Sequence, residues 1–221
     1  MIPLKDLNPS RSYPFVNLTL ILANVAVFVH QMSLKFTLTP SAYEAFLTTY
    51  STVPARFPAF LSGHVSFEAA FLPLLTCMFL HAGFLHIAGN MLFLWIFGDN
   101  VEDFFGHLPY LAFYTVCGIG AGFAHSFFNL NSQLPAMGAS GAISGVMGAY
   151  ILLYPRARVL TLVFVFVVPL PAVFFLGEWF VVQFLAGMNS LGGGPSGGVA
   201  WIAHVGGFLL GILITLIARR P

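Results

Sequence analysis

The chain has 221 residues, of which 58% are hydrophobic and only 7% are Asp, Glu, Lys or Arg. A soluble domain carries roughly 25% charged residues, so this surface cannot be covered with polar groups and much of it must face lipid. The net charge of +1 gives no basis for nucleic-acid binding, and the length leaves room for one bundle of helices of about 20 residues each, not for a second soluble domain.

Residues 1–14 are polar and proline-punctuated and read as a short cytoplasmic segment, without a cleavable signal peptide. The first apolar run, 15–32, predicts span one. A long, more polar outer loop follows over 33–68, with Pro40, Pro54 and Pro58. Residues 71–80 are apolar but contain Pro73 and read as an interfacial piece. Spans two, three and four are expected over 84–98, 110–128 and 140–153.

The run 159–188 is too long for one helix and is interrupted by Pro169 and Pro171. It reads as an interfacial or re-entrant piece and then a fifth span over 172–188. The glycine-rich stretch 189–198 predicts a flexible loop, and 199–217 a sixth span. The expected class is all-α: a polytopic membrane protein whose single domain, 15–219, is a six-helix bundle. No internal repeat suggests an inverted-repeat transporter.

In this arrangement Lys5, Arg11, Arg156, Arg158, Arg219 and Arg220 fall on one side, and Lys35 and Arg56 on the other. The positive-inside rule puts both termini in the cytoplasm and the long loop outside. Spans two, four and six then run from outside to inside, and each has polar side chains near its outer end: His86 and Asn90, Ser140, and His204. Polar groups inside a membrane are costly and face a bundle interior or a watery cavity.

His86 and Asn90 are four residues apart and share one helix face. Ser140 lies in Gly138-Ala139-Ser140-Gly141, where flanking glycines let the backbone turn sharply and leave the hydroxyl accessible. At a helix start it also has free backbone N–H groups beside it, well placed to hold an oxyanion. Gly207 and Gly211 on span six match Gly141, Gly145 and Gly148 on span four. Small residues at this spacing allow close helix contact in lipid. If the two rows meet, Ser140 comes within reach of His204, the geometry a serine nucleophile and its general base require. Asp99 and Asp103 lie at the inner end of span two, too far for a third member. A Ser–His dyad is expected, its histidine held by packing.

Each residue alone has a plainer reading. A serine between glycines at a helix start is commonly an N-cap, and a histidine in a membrane helix is often a packing residue. Four suitable residues at one depth on three parallel spans are hard to explain that way. His81, His86 and His204 lack a carboxylate partner and no H-E-x-x-H occurs, so no metal is expected. Asp6, Asp99 and Asp103 lie near span ends, against an aspartyl protease. Cys77 and Cys117 read as small buried hydrophobes, and His30, His107 and His125 as interfacial. Ser144, one turn below Ser140, reads as a supporting hydrogen-bonding group. Glu178, the one acidic residue well inside a span, needs a partner or a proton and reads as structural.

At these residues the sequence resembles the rhomboid family of intramembrane serine proteases. His81-x4-His86-x3-Asn90, Gly138-Ala139-Ser140-Gly141 and Ala203-His204-x2-Gly207-x3-Gly211 are similar to its three motifs, in its order. The resemblance implies Ser140 as nucleophile, His204 as general base, and an oxyanion hole of His86, Asn90 and the Ser140 N–H. It also implies a transmembrane segment of another membrane protein as the substrate, cut near the outer face, with span five and residues 189–198 as gate and cap. The resemblance likewise implies no metal and no cofactor. Two features depart from the family. The Trp-Arg pair often found in the first long loop is missing, and Ser144 stands where some members have an aromatic against the catalytic histidine. A bare six-span core suggests a bacterial inner membrane. The competing readings are an inactive relative that binds or chaperones membrane helices, and a small transporter.

Overall fold

A computed structural model describes residues 1–192 and 199–219 of the chain. The first apolar run forms α1 (Phe15–Thr37). The predicted outer loop is itself largely helical, with α2 (Pro40–Tyr50) and α3 (Arg56–Leu61). Proline at the first turn of α2 is compatible with a helix start, and the Thr39 hydroxyl accepts the Ala42 N–H at 3.3 Å as its cap. Next come α4 (Phe67–Phe71), α5 (Pro73–Thr76) and a 3-10 turn over Cys77–Phe79. This apolar stretch packs inward through Leu74, Cys77 and Met78 rather than lying wholly at an interface.

Five further helices complete the bundle: α6 (Phe84–Phe105), α7 (His107–Phe127), α8 (Ser140–Leu153), α9 (Ala172–Leu191) and α10 (Trp201–Ala218). Gly106, at φ +81° and ψ 162°, separates α6 from α7, a positive-φ conformation that glycine adopts without a Cβ clash. Helices therefore occupy all six apolar runs. Three of them, α1, α9 and α10, are long and apolar enough to cross a membrane. The α4–α6 stretch, bent by 79° between Phe79 and Phe84, adds a fourth if the bent pair is one span. The chain is thus an integral membrane protein of helical class. Length and apolarity alone support three to four crossings, so the expected six do not follow from them. The reason is clearest at α8, whose 14 residues reach about 21 Å against a hydrocarbon core of about 30 Å. Every residue from Gly141 to Tyr150 is buried, so α8 is surrounded by protein rather than lipid.

A three-stranded antiparallel sheet takes up the piece read from the sequence as interfacial or re-entrant, and gives the N-terminal segment a structure. Strands β1 (Ile2–Asp6), β2 (Arg158–Val163) and β3 (Phe166–Pro171) pair in that order. Asp6 lies opposite Val159, and Val163 opposite Phe166 across a two-residue turn. Pro169 and Pro171 interrupt a helix but are tolerated in β3 because it is an edge strand. The Tyr150 hydroxyl donates to Asp6 Oδ2 at 2.7 Å and docks the sheet on α8. Tyr150 is about 15 Å along α8 from Ser140, so the sheet closes the end of the bundle away from Ser140.

That end also holds a polar clamp. Buried Glu102 accepts the N–H groups of Val16 and Asn17, at 3.0 and 2.7 Å, satisfying the first turn of α1 with a carboxylate. Asp103 accepts the N–H groups of Arg11 and Ser12 and the Ser12 hydroxyl. At the opposite end, Phe57, Phe60, Phe67, Phe71 and Phe123 form a ring cluster that anchors the loop helices to α7. Packing of this kind holds the first loop without the Trp-Arg pair. Reciprocal backbone hydrogen bonds between Thr52 and Ala136, at 3.0 and 2.8 Å, tie it to the run leading into α8.

Candidate active site

The site is built where α8 and α10 touch through backbone. A Cβ placed on Gly207 would overlap the Gly141 carbonyl oxygen, and one on Gly211 the Gly145 carbonyl. On the other helix, a Cβ on Gly148 would overlap the Phe208 carbonyl. The α10 glycines therefore rest on the α8 backbone, and Gly148 does the same toward α10, while the Cβ positions of Gly141 and Gly145 point at Ala121 and Cys117 of α7; the α8–α10 separation is set by main-chain contact. The N-terminal ends of the two helices carry Ser140 and His204. Ser140 Oγ lies 2.8 Å from His204 Nε2.

Ser140 is the first residue of α8, after Ala139 in helical conformation, and no side chain caps this terminus. Its hydroxyl is engaged by His204, so the N-cap reading does not describe it. Its backbone N–H is among the first of the helix, which have no intrahelical acceptor. Gly138, just before the helix, has φ +130° and donates its N–H to the Cys77 carbonyl at 2.9 Å. A side chain there would be strained in this conformation, and its Cβ would come 2.8 Å from the His86 ring.

His86 and Asn90 present donors to the same place. The Ala82 N–H donates to His86 Nδ1 at 3.3 Å, so in the neutral ring the proton sits on Nε2, the edge next to Gly138. Asn90 is buried, and its side-chain NH2 has no hydrogen-bond partner among the described residues. A buried donor without an acceptor is expensive, which suits a group that meets its acceptor only during a reaction. His81 is fully buried, its ring edge-on to His86 at 5.1 Å between centroids. Gln31 on α1 brackets its backbone, accepting the His81 N–H at 3.0 Å and donating to its carbonyl at 2.7 Å. The Ser144 hydroxyl donates to the Ser140 carbonyl at 2.6 Å and does not approach the histidine.

His86, Asn90, Ser140 and His204 line one cleft of about 250 Å³, together with Trp179, Gln183 and Trp201. A smaller cavity of about 40 Å³ lies behind Ser140, with Thr52 and His125 in its lining. Among the described residues no three His, Cys, Asp or Glu side chains converge as a metal-ligand set.

Sequence reasoning missed Gln183. It is the third member that was looked for among carboxylates: its Oε1 lies 2.7 Å from His204 Nδ1. The expectation that packing alone holds His204 is therefore corrected. The available signal was an amide inside the apolar run of span five, passed over because only ionisable groups were sought there. Glu178, singled out instead, is exposed on α9 and makes no hydrogen bond or ion pair with the described residues. The predicted loop 189–198 begins inside α9, and its residues 193–198 lie outside the described residues.

Comparison with known proteins agrees with this architecture. A family profile described as "Rhomboid domain" matches residues 68–221. The chain is 32% identical over 142 residues to "Rhomboid protein 1, mitochondrial" of Saccharomyces cerevisiae, covering 61% of this chain and 38% of that protein. It is 43% identical over 76 residues to "Rhomboid protease GluP" of Bacillus subtilis, covering 34% and 14%. It is 29% identical over 164 residues to "Rhomboid-like protein 11, chloroplastic" of Arabidopsis thaliana, covering 69% and 54%. The chain thus spans at most about half the length of each of these relatives. With a match over more than half of its own length, the chain belongs to the rhomboid family.

Proposed function

We propose that this chain is an intramembrane serine endopeptidase that cuts transmembrane segments of other membrane proteins near the outer face. The observation that carries the reading is the Ser140–His204 hydrogen bond of 2.8 Å inside a cleft that also contains His86 and Asn90. Ser140 Oγ attacks the carbonyl carbon of the scissile peptide while His204 Nε2 takes its proton. The negative charge that develops on the carbonyl oxygen is met by the Ser140 N–H, the His86 Nε2–H and the Asn90 amide. His204 then delivers its proton to the leaving amine as the C–N bond breaks. A water molecule, activated by the same histidine, hydrolyses the serine ester and restores the enzyme. In this reading Gly138, Gly141, Gly207 and Gly211 keep the two reacting helices in contact, and Ser144 and His81 support the first turns of α8 and α6.

The substrate reading is supported by exposed apolar side chains along α9, such as Val181, Val182, Phe184 and Leu185, on a helix whose Trp179 and Gln183 line the cleft. The basic residues Lys5, Arg11, Arg156, Arg158 and Arg219 support cytoplasmic termini. A bacterial inner membrane is proposed for the chain, although named relatives include mitochondrial and chloroplastic proteins.

The test is labelling of the detergent-solubilised protein with a fluorescent fluorophosphonate, followed by cleavage of a membrane-anchored reporter in proteoliposomes. Labelling and cleavage that both vanish in Ser140→Ala and His204→Ala are expected. A folded wild type that neither labels nor cleaves, but retains a transmembrane peptide, would turn the assignment to a helix-binding protein.

A further inference from the structure

We infer that Gln183 is the positioning residue of His204, locking from α9 the one imidazole tautomer that can receive the Ser140 proton. The chemical meaning of this inference rests on the peptidase reading above; the hydrogen bond itself does not.

The side-chain carbonyl of an amide only accepts. With Gln183 Oε1 at 2.7 Å from His204 Nδ1, the proton of the neutral ring must sit on Nδ1, and Nε2 carries the lone pair. That lone pair is 2.8 Å from Ser140 Oγ, so the hydroxyl donates and the chain runs serine to histidine to amide across α8, α10 and α9. In the opposite tautomer Nε2–H would itself point at Ser140 Oγ, and no atom would be ready to accept the serine proton.

Gln183 is 8% exposed, and the residue one turn earlier on the same face of α9, Trp179, packs its ring 6.0 Å from that of His204, tilted by 35°. Trp201 approaches edge-on at 6.2 Å. The histidine ring is therefore oriented by one hydrogen bond and two indoles, with α9 supplying the bond and one of the indoles. Ser144, beneath it on α8, turns to the Ser140 carbonyl and takes no part. A neutral amide is the economical choice here. A carboxylate in this position would have to be desolvated beside apolar helices, whereas the amide fixes ring and tautomer without a buried charge.

The experiment uses the 221-residue chain in detergent micelles, as wild type, Gln183→Met, Gln183→Glu, Ser140→Ala and His204→Ala. Two quantities are read: the second-order rate of fluorophosphonate labelling, and the 15N shifts of labelled histidine, with His204 assigned by its loss in His204→Ala. Wild-type His204 is expected to show the Nδ1-protonated form. Gln183→Met, which keeps length and approximate volume but replaces the amide oxygen with a weakly accepting thioether, should label about 10- to 100-fold more slowly, the scale of a misaligned reacting group, and show mixed tautomers. Gln183→Glu, which keeps an acceptor, should stay within about tenfold of wild type. Wild-type labelling speed in folded Gln183→Met, or an Nε2-protonated wild-type His204, would overturn the inference. If Gln183→Met does not fold, the wild-type spectrum and Gln183→Glu decide. A wild type that fails to label while His204 shows the expected tautomer would sink the peptidase reading and leave the hydrogen-bond assignment standing.

Discussion

α8 carries Ser140 through the middle of the bundle, with all ten residues from Gly141 to Tyr150 buried. α9 carries Gln183 along its flank, with only Ala172, Phe175, Leu176, Gln183 and Gly187 buried among its 20 residues. The two helices meet the same histidine on α10 by different means. α8 does it with glycines that bring backbone against backbone, so its position relative to α10 has almost no freedom. α9 does it with one amide and one indole, long side chains that reach across from a helix mostly exposed along its length. Ser140 and His204 are thus set by main-chain contact, while the hydrogen bond to His204 Nδ1 comes from a lightly held neighbour.

This contrast breaks most sharply at the reacting atoms. Ser140→Ala and His204→Ala should each lower reporter cleavage by at least about 10⁴-fold, as expected for groups that act as a unit, with thermal unfolding in detergent little changed. Full cleavage by either variant would remove that residue from the chemistry.

The next effect tests the main-chain contact. Gly207→Val should force α8 and α10 apart, because even its Cβ overlaps the Gly141 carbonyl. A loss of about 1–3 kcal/mol of stability is expected from overpacking, together with lost cleavage. Val182→Ala, exposed on α9, should stay within about 0.5 kcal/mol. Equal melting temperatures for the two variants would show that the glycine rows do not set the helix spacing. Gln183→Met should fall between these cases, with slower labelling and nearly native stability.

The smallest effects belong to the far end of α8. Tyr150→Phe removes the hydroxyl that docks the sheet through Asp6 and should cost about 1 kcal/mol while leaving fluorophosphonate labelling intact. Burial pushes the Asp6 carboxyl above its ordinary value, offset in part by the Tyr150 hydrogen bond and the Lys5 charge. A carboxyl with a raised folded-state pKa stabilises the fold below its unfolded value, about 3.9, and loses that contribution as pH rises through the folded value. The melting temperature should therefore fall as pH is raised across that interval, and Asp6→Asn should flatten the trend. An unchanged slope in Asp6→Asn would assign the pH dependence to other groups.

The apolar runs, their breakers and the polar residues near the N-terminal ends of 84–98, 140–153 and 199–217 were written in composition and spacing, because lipid demands long apolar helices and penalises stray polar groups. Glycine repeats also announced which helix faces approach, since only small residues allow backbone contact. Three things were decided by tertiary structure. The sheet joins residues 2–6 to 158–163, a pairing across most of the chain that no local pattern encodes. The number of crossings depends on which helices lipid reaches, and the 14-residue α8 is enclosed by protein. The third member of the site depends on how α9 is rotated about its own axis beside α10. Hydropathy is blind to that rotation within an all-apolar helix, so only packing could reveal that Gln183, and no carboxylate, faces His204.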